Sequence, residues 1–180
     1  MKVWIGKNKS LLALMLCIST IPMIWAVLSP NMGIHTGAVS LVCAAVYSAN
    51  GNKRKDGLKL SIGFLCGDLW AVLFMFLTDK FNLHSELKQF VILFIVGSLS
   101  VLISGILNKL ISLPALLCGW ALGMLIMAPL GIHKLSTLPL QIGISMLVGV
   151  WYIGEGVNLF HGLLCKPTKR KNNCITNELE

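Results

Sequence analysis

The chain has 180 residues, of which 56% are hydrophobic and 12% are charged, and its mean hydropathy is +0.79. Soluble domains carry roughly 25% charged residues because water must wet their surface, so this composition excludes an ordinary soluble domain. The formal net charge is +8. It does not indicate a nucleic-acid partner, because the basic residues form short clusters at the ends of apolar segments, where they orient a membrane protein.

Six apolar segments follow one another along the chain. A bilayer core about 30 Å thick requires roughly 20 helical residues. The segments that come closest to this length are residues 10–28, 34–49, 58–77, 88–107, 113–128 and 138–164, separated by turn-forming residues. We therefore predict an all-α integral membrane protein with six transmembrane helices, preceded by a cytoplasmic N-terminus over residues 1–9. Residues 165–180 form a polar cytoplasmic tail that we expect to be disordered.

The lysines and arginines predict the orientation of these helices. With the N-terminus inside, the cytoplasmic segments contain Lys2, Lys7, Lys9, Lys53, Arg54, Lys55, Lys59, Lys109, Lys166, Lys169, Arg170 and Lys171. The opposite face contains Lys80, Lys88 and Lys134. This strong bias of positive charge predicts that both termini lie in the cytoplasm.

Small residues four positions apart let two helices approach closely in lipid. Four segments contain such a pair: Gly33 and Gly37, Gly63 and Gly67, Gly119 and Gly123, and Ser145 and Gly149. The pairs on the third and sixth segments are 82 residues apart, and those on the second and fifth are 86 apart. This spacing predicts two inverted three-helix repeats, an arrangement common in transporters. The alternative is that such pairs are frequent in any membrane bundle.

Two acidic residues, Asp68 and Glu155, lie inside the apolar segments. A charge at the bilayer centre costs at least about 2.5–3.5 kcal/mol, so such residues usually face a bundle interior or a cavity. Asp68 lies ten residues past Leu58, where its segment starts on the cytoplasmic side, and Glu155 lies ten residues before Cys165, near the cytoplasmic end of its segment. That distance corresponds to a depth of about 15 Å, so we expect the two carboxyl groups to lie at a similar height, where they can meet.

The sixth segment places four residues on one face of its predicted helix: Trp151, Tyr152, Glu155 and Asn158. Aromatic walls with an acid and an amide are suited to a small polar solute. Together with Asp68, these residues form the predicted substrate pathway. The alternative is that both acids hydrogen-bond to neighbouring helices and serve only to hold them together.

The sequence shows no motif for other chemistry. Its six cysteines include no C-x-x-C pair, and no phosphate-binding loop, nucleophile motif or metal-ligand spacing occurs. We therefore expect no enzyme activity, no metal and no cofactor.

Several short motifs between residues 21 and 161 resemble those of a known family. They are Gly33-Ile34-His35-Thr36-Gly37, Tyr47, Gly57-Leu58-Lys59, Trp70-Ala71, Leu113-Pro114-Ala115, Leu138-Pro139 and Gly149. On these motifs the chain is similar to the YcdZ-type family of small bacterial inner-membrane proteins of unknown function. The resemblance implies a location in the bacterial inner membrane and no particular activity. It also implies that Asp68 and Glu155 are not the family's shared mechanism, because the family pattern does not require an acid at either position; they serve either a solute specific to this member or only packing.

These patterns favour a channel or transporter for a small solute that passes between two three-helix halves. We expect the lipid bilayer to surround the protein and a homo-oligomer to be its assembly. One alternative is a non-transporting scaffold or accessory subunit that docks on other membrane proteins. A weaker alternative is a lipid-handling protein whose Lys53-Arg54-Lys55 cluster contacts anionic headgroups.

Overall fold

The computed structural model of the protein describes residues 9–51, 53–81 and 86–164. Within these ranges the chain forms helices and turns, and no strand occurs. The helices are α1 (Lys9–Asn31), α2 (Val39–Ala49), α3 (Arg54–Lys80), α4 (Glu86–Ile106), α5 (Leu113–Met127), α6 (Leu138–Val148) and α7 (Glu155–Leu164). A π-helical segment, Gly149–Gly154, joins α6 to α7 as one continuous helix. The predicted tail, residues 165–180, lies outside the described residues.

The six predicted segments are confirmed as helices, and five of them agree with the structure to within four residues at either end. The exception is α2, which begins at Val39 and not at residue 34. Gly33 has a left-handed backbone conformation with φ of 74°, which glycine adopts at little steric cost. Residues 35–38 then form turns before the helix starts. Gly33 and Gly37 therefore precede α2, and the prediction that they lie on it is wrong.

Three helices are long and apolar enough to cross a membrane: Arg54–Lys80, Leu87–Ile106 and Leu138–Phe160. The other apolar helices are shorter, over Met15–Asn31, Val39–Ala49 and Leu113–Met127. At 1.5 Å per residue, the 11 residues of α2 and the 15 of α5 span only about 17 and about 23 Å. Length and apolarity by themselves thus identify three spanning helices where the sequence predicted six.

The register of contacts shows how the central helices run. Contacts between α3 and α5 join Gly63 to Ala115, Gly67 to Gly119, and Ala71 to Gly123. Because the residue numbers rise together, α3 and α5 are parallel. Contacts from α2 and the turn before it join Thr36 to Ser145, Ser40 to Gly149, and Tyr47 to Glu155. By the same argument, α2 is parallel to α6 and α7.

The helix formed by α6 and α7 runs antiparallel to α3. Its contacts with α3 join Gly143 to Leu65, Trp151 to Gly57, and Glu155 to Arg54. Along α6 and α7 the residue numbers rise as those on α3 fall. The four central elements therefore form two parallel pairs, α3 with α5 and α2 with α6 and α7, and the pairs point in opposite directions.

The helices α1 and α4 lie at the periphery of this arrangement. The largest fully buried side chains come mainly from the central elements and include Tyr47, Phe64, Leu116, Ile142 and Met146. In contrast, large apolar side chains of α1 and α4 are exposed: Met15, Leu16, Ile18, Met23, Ile24, Val27, Leu28, Leu87, Phe90, Val91, Leu93, Phe94, Ile95, Leu99, Val101, Leu102 and Ile106. Such surfaces are stable only when lipid or another apolar partner covers them, as in a membrane protein.

Backbones meet directly where α3 crosses α5. A Cβ atom on Gly67 would overlap the carbonyl oxygen of Leu116, and one on Gly119 would overlap the carbonyl oxygen of Phe64. Packing between helices in lipid depends on this kind of close approach, because burial away from water contributes little there. The two glycines therefore set the distance between α3 and α5.

We predict that Gly67→Ala lowers stability, because the new methyl group forces α3 away from α5. Overpacking of this kind costs about 1–3 kcal/mol. Gly105→Ala is the matched control, since Gly105 is also helical and a Cβ there would meet nothing within 4 Å. The measurement is the midpoint of thermal unfolding in one detergent. Equal midpoints for the two variants would contradict the packing described here.

Candidate functional site

Glu155 is buried and held by two residues from other elements. The hydroxyl of Tyr47 on α2 donates a hydrogen bond to Glu155 Oε2 at 2.5 Å. Arg54, the first residue of α3, places Nε 3.7 Å from Glu155 Oε1. Tyr47 is fully buried, whereas the side chain of Arg54 is 74% exposed. The carboxyl group therefore has both a buried donor and a cation that reaches it from the surface.

The π-helical segment brings Glu155 to this position. Gly149, at its start, lies against the backbone carbonyl of Ser40, and Gly154, at its end, lies against the ring of Tyr47. A Cβ on Gly154 would be 2.7 Å from that ring, so only glycine fits there. The wider π turn inserts an extra residue into the helix, and such turns are frequent at functional sites.

The structure gives each of the other residues on the predicted face of the sixth segment its own surroundings. Trp151 packs its ring on Gly57, and its Nε1 donates to the hydroxyl of Ser61 at 3.0 Å. Tyr152 is 42% exposed. Asn158 is half-buried and has an interaction partner of its own. Trp151 and Glu155 thus both contact the first turns of α3.

Asp68 lies on α3 in a different environment. Its side chain is 4% exposed and faces α5, where Oδ1 is 3.2 Å from the position that a Cβ on Gly123 would take. Within the described ranges, Asp68 Oδ1 has no hydrogen-bond partner, and neither does the buried Nε1 of Trp120 on α5. An unsatisfied buried polar group is unusual in a folded protein and marks a site of interest.

The two acids do not meet, so the expectation that they lie at a similar height is wrong. Glu155 contacts Arg54, and Asp68 lies 14 residues further along α3, which corresponds to about 21 Å along the helix axis. Equal heights would require the start of α3 and the end of α7 to lie at the same level in the membrane. In the structure, α7 continues to Leu164, beyond the start of α3.

Of the remaining residues predicted to pack, Ser145 is fully buried and contacts Thr36 through their hydroxyl oxygens at 3.1 Å. Gly37 lies against Ser29 and Trp25 of α1, and Trp25 Nε1 donates to its carbonyl oxygen at 3.3 Å. Gly33 has no neighbour within 4 Å of a Cβ position. Gly33 therefore forms the turn before α2, and the prediction that it packs against another helix is wrong.

Contacts in the two parallel pairs correspond by residue number. A Cβ atom on Gly63 would lie 3.0 Å from the carbonyl oxygen of Ser112. In the other pair, the hydroxyl oxygens of Ser145 and Thr36 are 3.1 Å apart. Likewise Gly67 lies against Leu116 and Gly149 against Ser40. The members on α3 and the α6–α7 helix are 82 residues apart. Those near α2 and α5 are 76 apart, so the predicted offset of 86 is wrong.

Sequence reasoning missed Tyr47 and Arg54 as partners of Glu155, Ser61 as the acceptor for Trp151, and Trp120 as the second buried residue with a polar atom that lacks a partner within the described ranges. Tyr47, Ser61 and Trp120 are residues with a polar group inside apolar segments. That position is the weak sequence signal that could have indicated them. A cleft of about 240 Å³ between α1 and the start of α2 was also missed; it is lined in part by Trp25, Ser29, His35 and Ser40. The cleft includes neither acid. The described residues hold no cluster of three His, Cys, Asp or Glu side chains placed to bind a metal.

A family model described as a protein of unknown function (DUF1097) matches residues 15–161. The chain belongs to this family. The match extends from α1 into α7 and includes Asp68, Tyr47, Glu155 and the π-helical segment. No curated protein and no solved structure matches the chain significantly. Family membership therefore supplies no activity, and the function must be argued from the residues.

We predict that Tyr47→Phe destabilises the protein, because Glu155 Oε2 loses its buried donor. An unsatisfied buried polar group costs about 1–3 kcal/mol. The matched control is Tyr152→Phe, at a tyrosine that is 42% exposed and lies within the π-helical segment, for which a change within about 0.5 kcal/mol is expected. Thermal unfolding of both variants in the same detergent tests this. A loss for Tyr152→Phe as large as that for Tyr47→Phe would refute the role given to Tyr47.

Proposed function

We propose that this protein is a six-helix protein of the bacterial inner membrane that forms a channel or transporter for a small solute. The path passes between two inverted three-helix halves, α1 to α3 and α4 to α7. The proposal includes a homo-oligomer as the assembly. It assigns no enzyme activity, cofactor or nucleic-acid partner.

The observation that carries the proposal is the correspondence between the two parallel pairs. Gly67 lies against the Leu116 carbonyl and Gly149 against the Ser40 carbonyl, so the same backbone contact occurs twice, once in each direction. This is the arrangement expected of an inverted repeat, which in transporters places the solute site where the halves meet.

The short helices α2 and α5 fit this plan. Each is preceded by non-helical residues that are buried, Ile34 and Thr36 before α2 and Ile111 before α5. Non-helical backbone at membrane depth is tolerated where protein surrounds it, and transporters place such segments at their binding sites. The buried turns extend the path of α2 and α5, which supports six crossings despite their length.

The ends of the bundle carry the charges expected for the proposed orientation. At one end, Arg54 contacts Glu155, so the basic cluster from Lys53 to Lys55 lies near the last helix. At the other end, Asp79 Oδ1 on α3 lies 3.6 Å from Nε2 of His133, which is in the turn before α6. The first end matches the predicted cytoplasmic face, which favours both termini inside.

Within this proposal, the residues near the junction of the halves have different tasks. Glu155, with Tyr47 and Arg54, closes the cytoplasmic end, and Trp151 packs beside it on α3. Asp68 is the buried acid deeper in the protein. Tyr152, within the π turn, and Asn158, on α7 after it, were first predicted as pathway residues and belong to the proposed pathway at its cytoplasmic mouth.

A second candidate, a non-transporting scaffold, is favoured by one observation. The side of α4 formed by Phe90, Leu93, Phe94, Gly97 and Val101 is an open apolar groove. A foreign membrane protein that co-purifies in stoichiometric amount in mild detergent would favour this candidate. A homo-oligomer alone would favour the channel or transporter.

We predict that the purified protein in proteoliposomes carries at least one solute of a panel of small polar compounds faster than empty liposomes. Asp68→Asn and Glu155→Gln should each lower that rate, because they change the two acids of the path. Asp79→Asn, on the same helix as Asp68 but with a side chain 52% exposed, is the control and should keep it. Background rates for every solute with the native protein would end the transport proposal.

We also predict that reporters fused to the N-terminus and the C-terminus both report a cytoplasmic location. The measurement compares pairs of reporters, one active only inside the cell and one only outside. Termini on opposite sides would contradict six crossings. That result would also remove the inverted repeat.

A further inference from the structure

The two buried acids differ in their surroundings. Tyr47 on α2 supplies a hydroxyl to Glu155. Gly123 is the residue of α5 that lies beside Asp68, and it has no side chain to supply. Asp68 Oδ1 is without a hydrogen-bond partner among the described residues.

Balancing charge is also missing around Asp68. The neighbouring α5 carries no Lys, Arg, His, Asp or Glu, and its one titratable side chain is Cys118. No titratable side chain occurs on α6. The other titratable groups on described elements that contact α3 lie on its neighbours and on α3 itself. They are Cys43 and Tyr47 on α2, Glu86 and Lys88 in the first turn of α4, His133 and Lys134 in the turn before α6, Tyr152 in the π-helical segment, Glu155 at the start of α7, and Arg54, Lys55, Asp56, Lys59, Cys66, Asp79 and Lys80 on α3. A carboxylate at this position would be an isolated charge in an apolar interior, which is costly.

The geometry points to Asp68 as a proton-binding site in the membrane interior, so that solute movement through this protein is coupled to protons. This inference rests on the proposed function. A proton needs a single ligand atom, whereas metal cations are held by several oxygen ligands, and the described residues contain no such cluster. A lone buried carboxyl group is therefore suited to H⁺ and poorly suited to a metal ion.

Trp120 carries the second buried polar atom without a partner. Within the described ranges its Nε1 has no acceptor, and Trp120 lies one turn before Gly123, on the same face of α5. An indole N–H can donate to a carboxylate but not to a cation. Rotation of the indole toward Asp68 would stabilise the carboxylate for the part of the cycle in which the proton has left.

The test begins with the infrared spectrum of the native protein in lipid as a function of pH. The C=O stretch of a neutral carboxylic acid is separate from that of a carboxylate. We expect a neutral-acid band that decreases as the pH is raised, that is absent in Asp68→Asn, and that persists in Asp79→Asn. A band that Asp68→Asn leaves unchanged would overturn the assignment.

A second measurement needs no variant to fold. Dicyclohexylcarbodiimide takes the proton of a neutral carboxyl group on one nitrogen while the carboxyl oxygen adds to its central carbon, and an acyl shift then gives a stable N-acylurea. Mass spectrometry of the labelled native chain should place the adduct on Asp68 and not on exposed Asp79. No adduct on Asp68 at any pH would overturn the proposal.

Two further arms separate the possible outcomes. Sodium ions that remove the neutral-acid band at fixed pH would show that a metal cation occupies the site, and the proton assignment would be wrong. A pH-sensitive dye inside proteoliposomes tests coupling during solute flux. If Asp68 binds and releases a proton but no solute moves, the proton site is supported and the proposed function is contradicted. If solute moves but Asp68 binds no proton, the proposed function is supported and the proton site is contradicted.

Discussion

The close contact between helix backbones is the constraint on which the rest of this structure depends. At Gly67 and Gly119 the backbones of α3 and α5 touch directly, and at Gly149 the π turn touches the backbone of Ser40. Apolar side chains gain little from leaving lipid for another apolar surface, so shape and van der Waals contact must hold such helices together. A single methyl group at Gly67 would separate the pair, and with it the residues that face each other across the contact.

This contact also determines which polar groups meet. The approach at Gly149 and Gly154 brings α2 against the π turn, so that Tyr47 reaches Glu155. The approach of α5 to α3 brings Gly123, with no side chain, beside Asp68. One acid is thus fully paired while the other is buried without a partner among the described residues. The same type of helix contact therefore places Glu155 beside a buried donor and leaves Asp68 Oδ1 without one among the described residues.

Much of the fold was predictable because the underlying signals are local. The helices and most of their boundaries follow from apolar runs and turn residues, and the glycines of α3 and α5 follow from their spacing. Gly33 was placed wrongly because a left-handed glycine and a packing glycine look the same in sequence. The height of Glu155 was placed wrongly because a stretch of apolar residues does not show how far one helix extends past another.

The sequence by itself determined the all-helical character, the family and the presence of two acids among apolar residues, because composition and hydropathy add up along the chain. The tertiary structure decided which residues those acids meet, since Tyr47 and Glu155 are 108 positions apart and come together only through packing. It also decided the π turn and the late start of α2. Both replace regular helix, and they are stable because neighbouring helices fill the space around them.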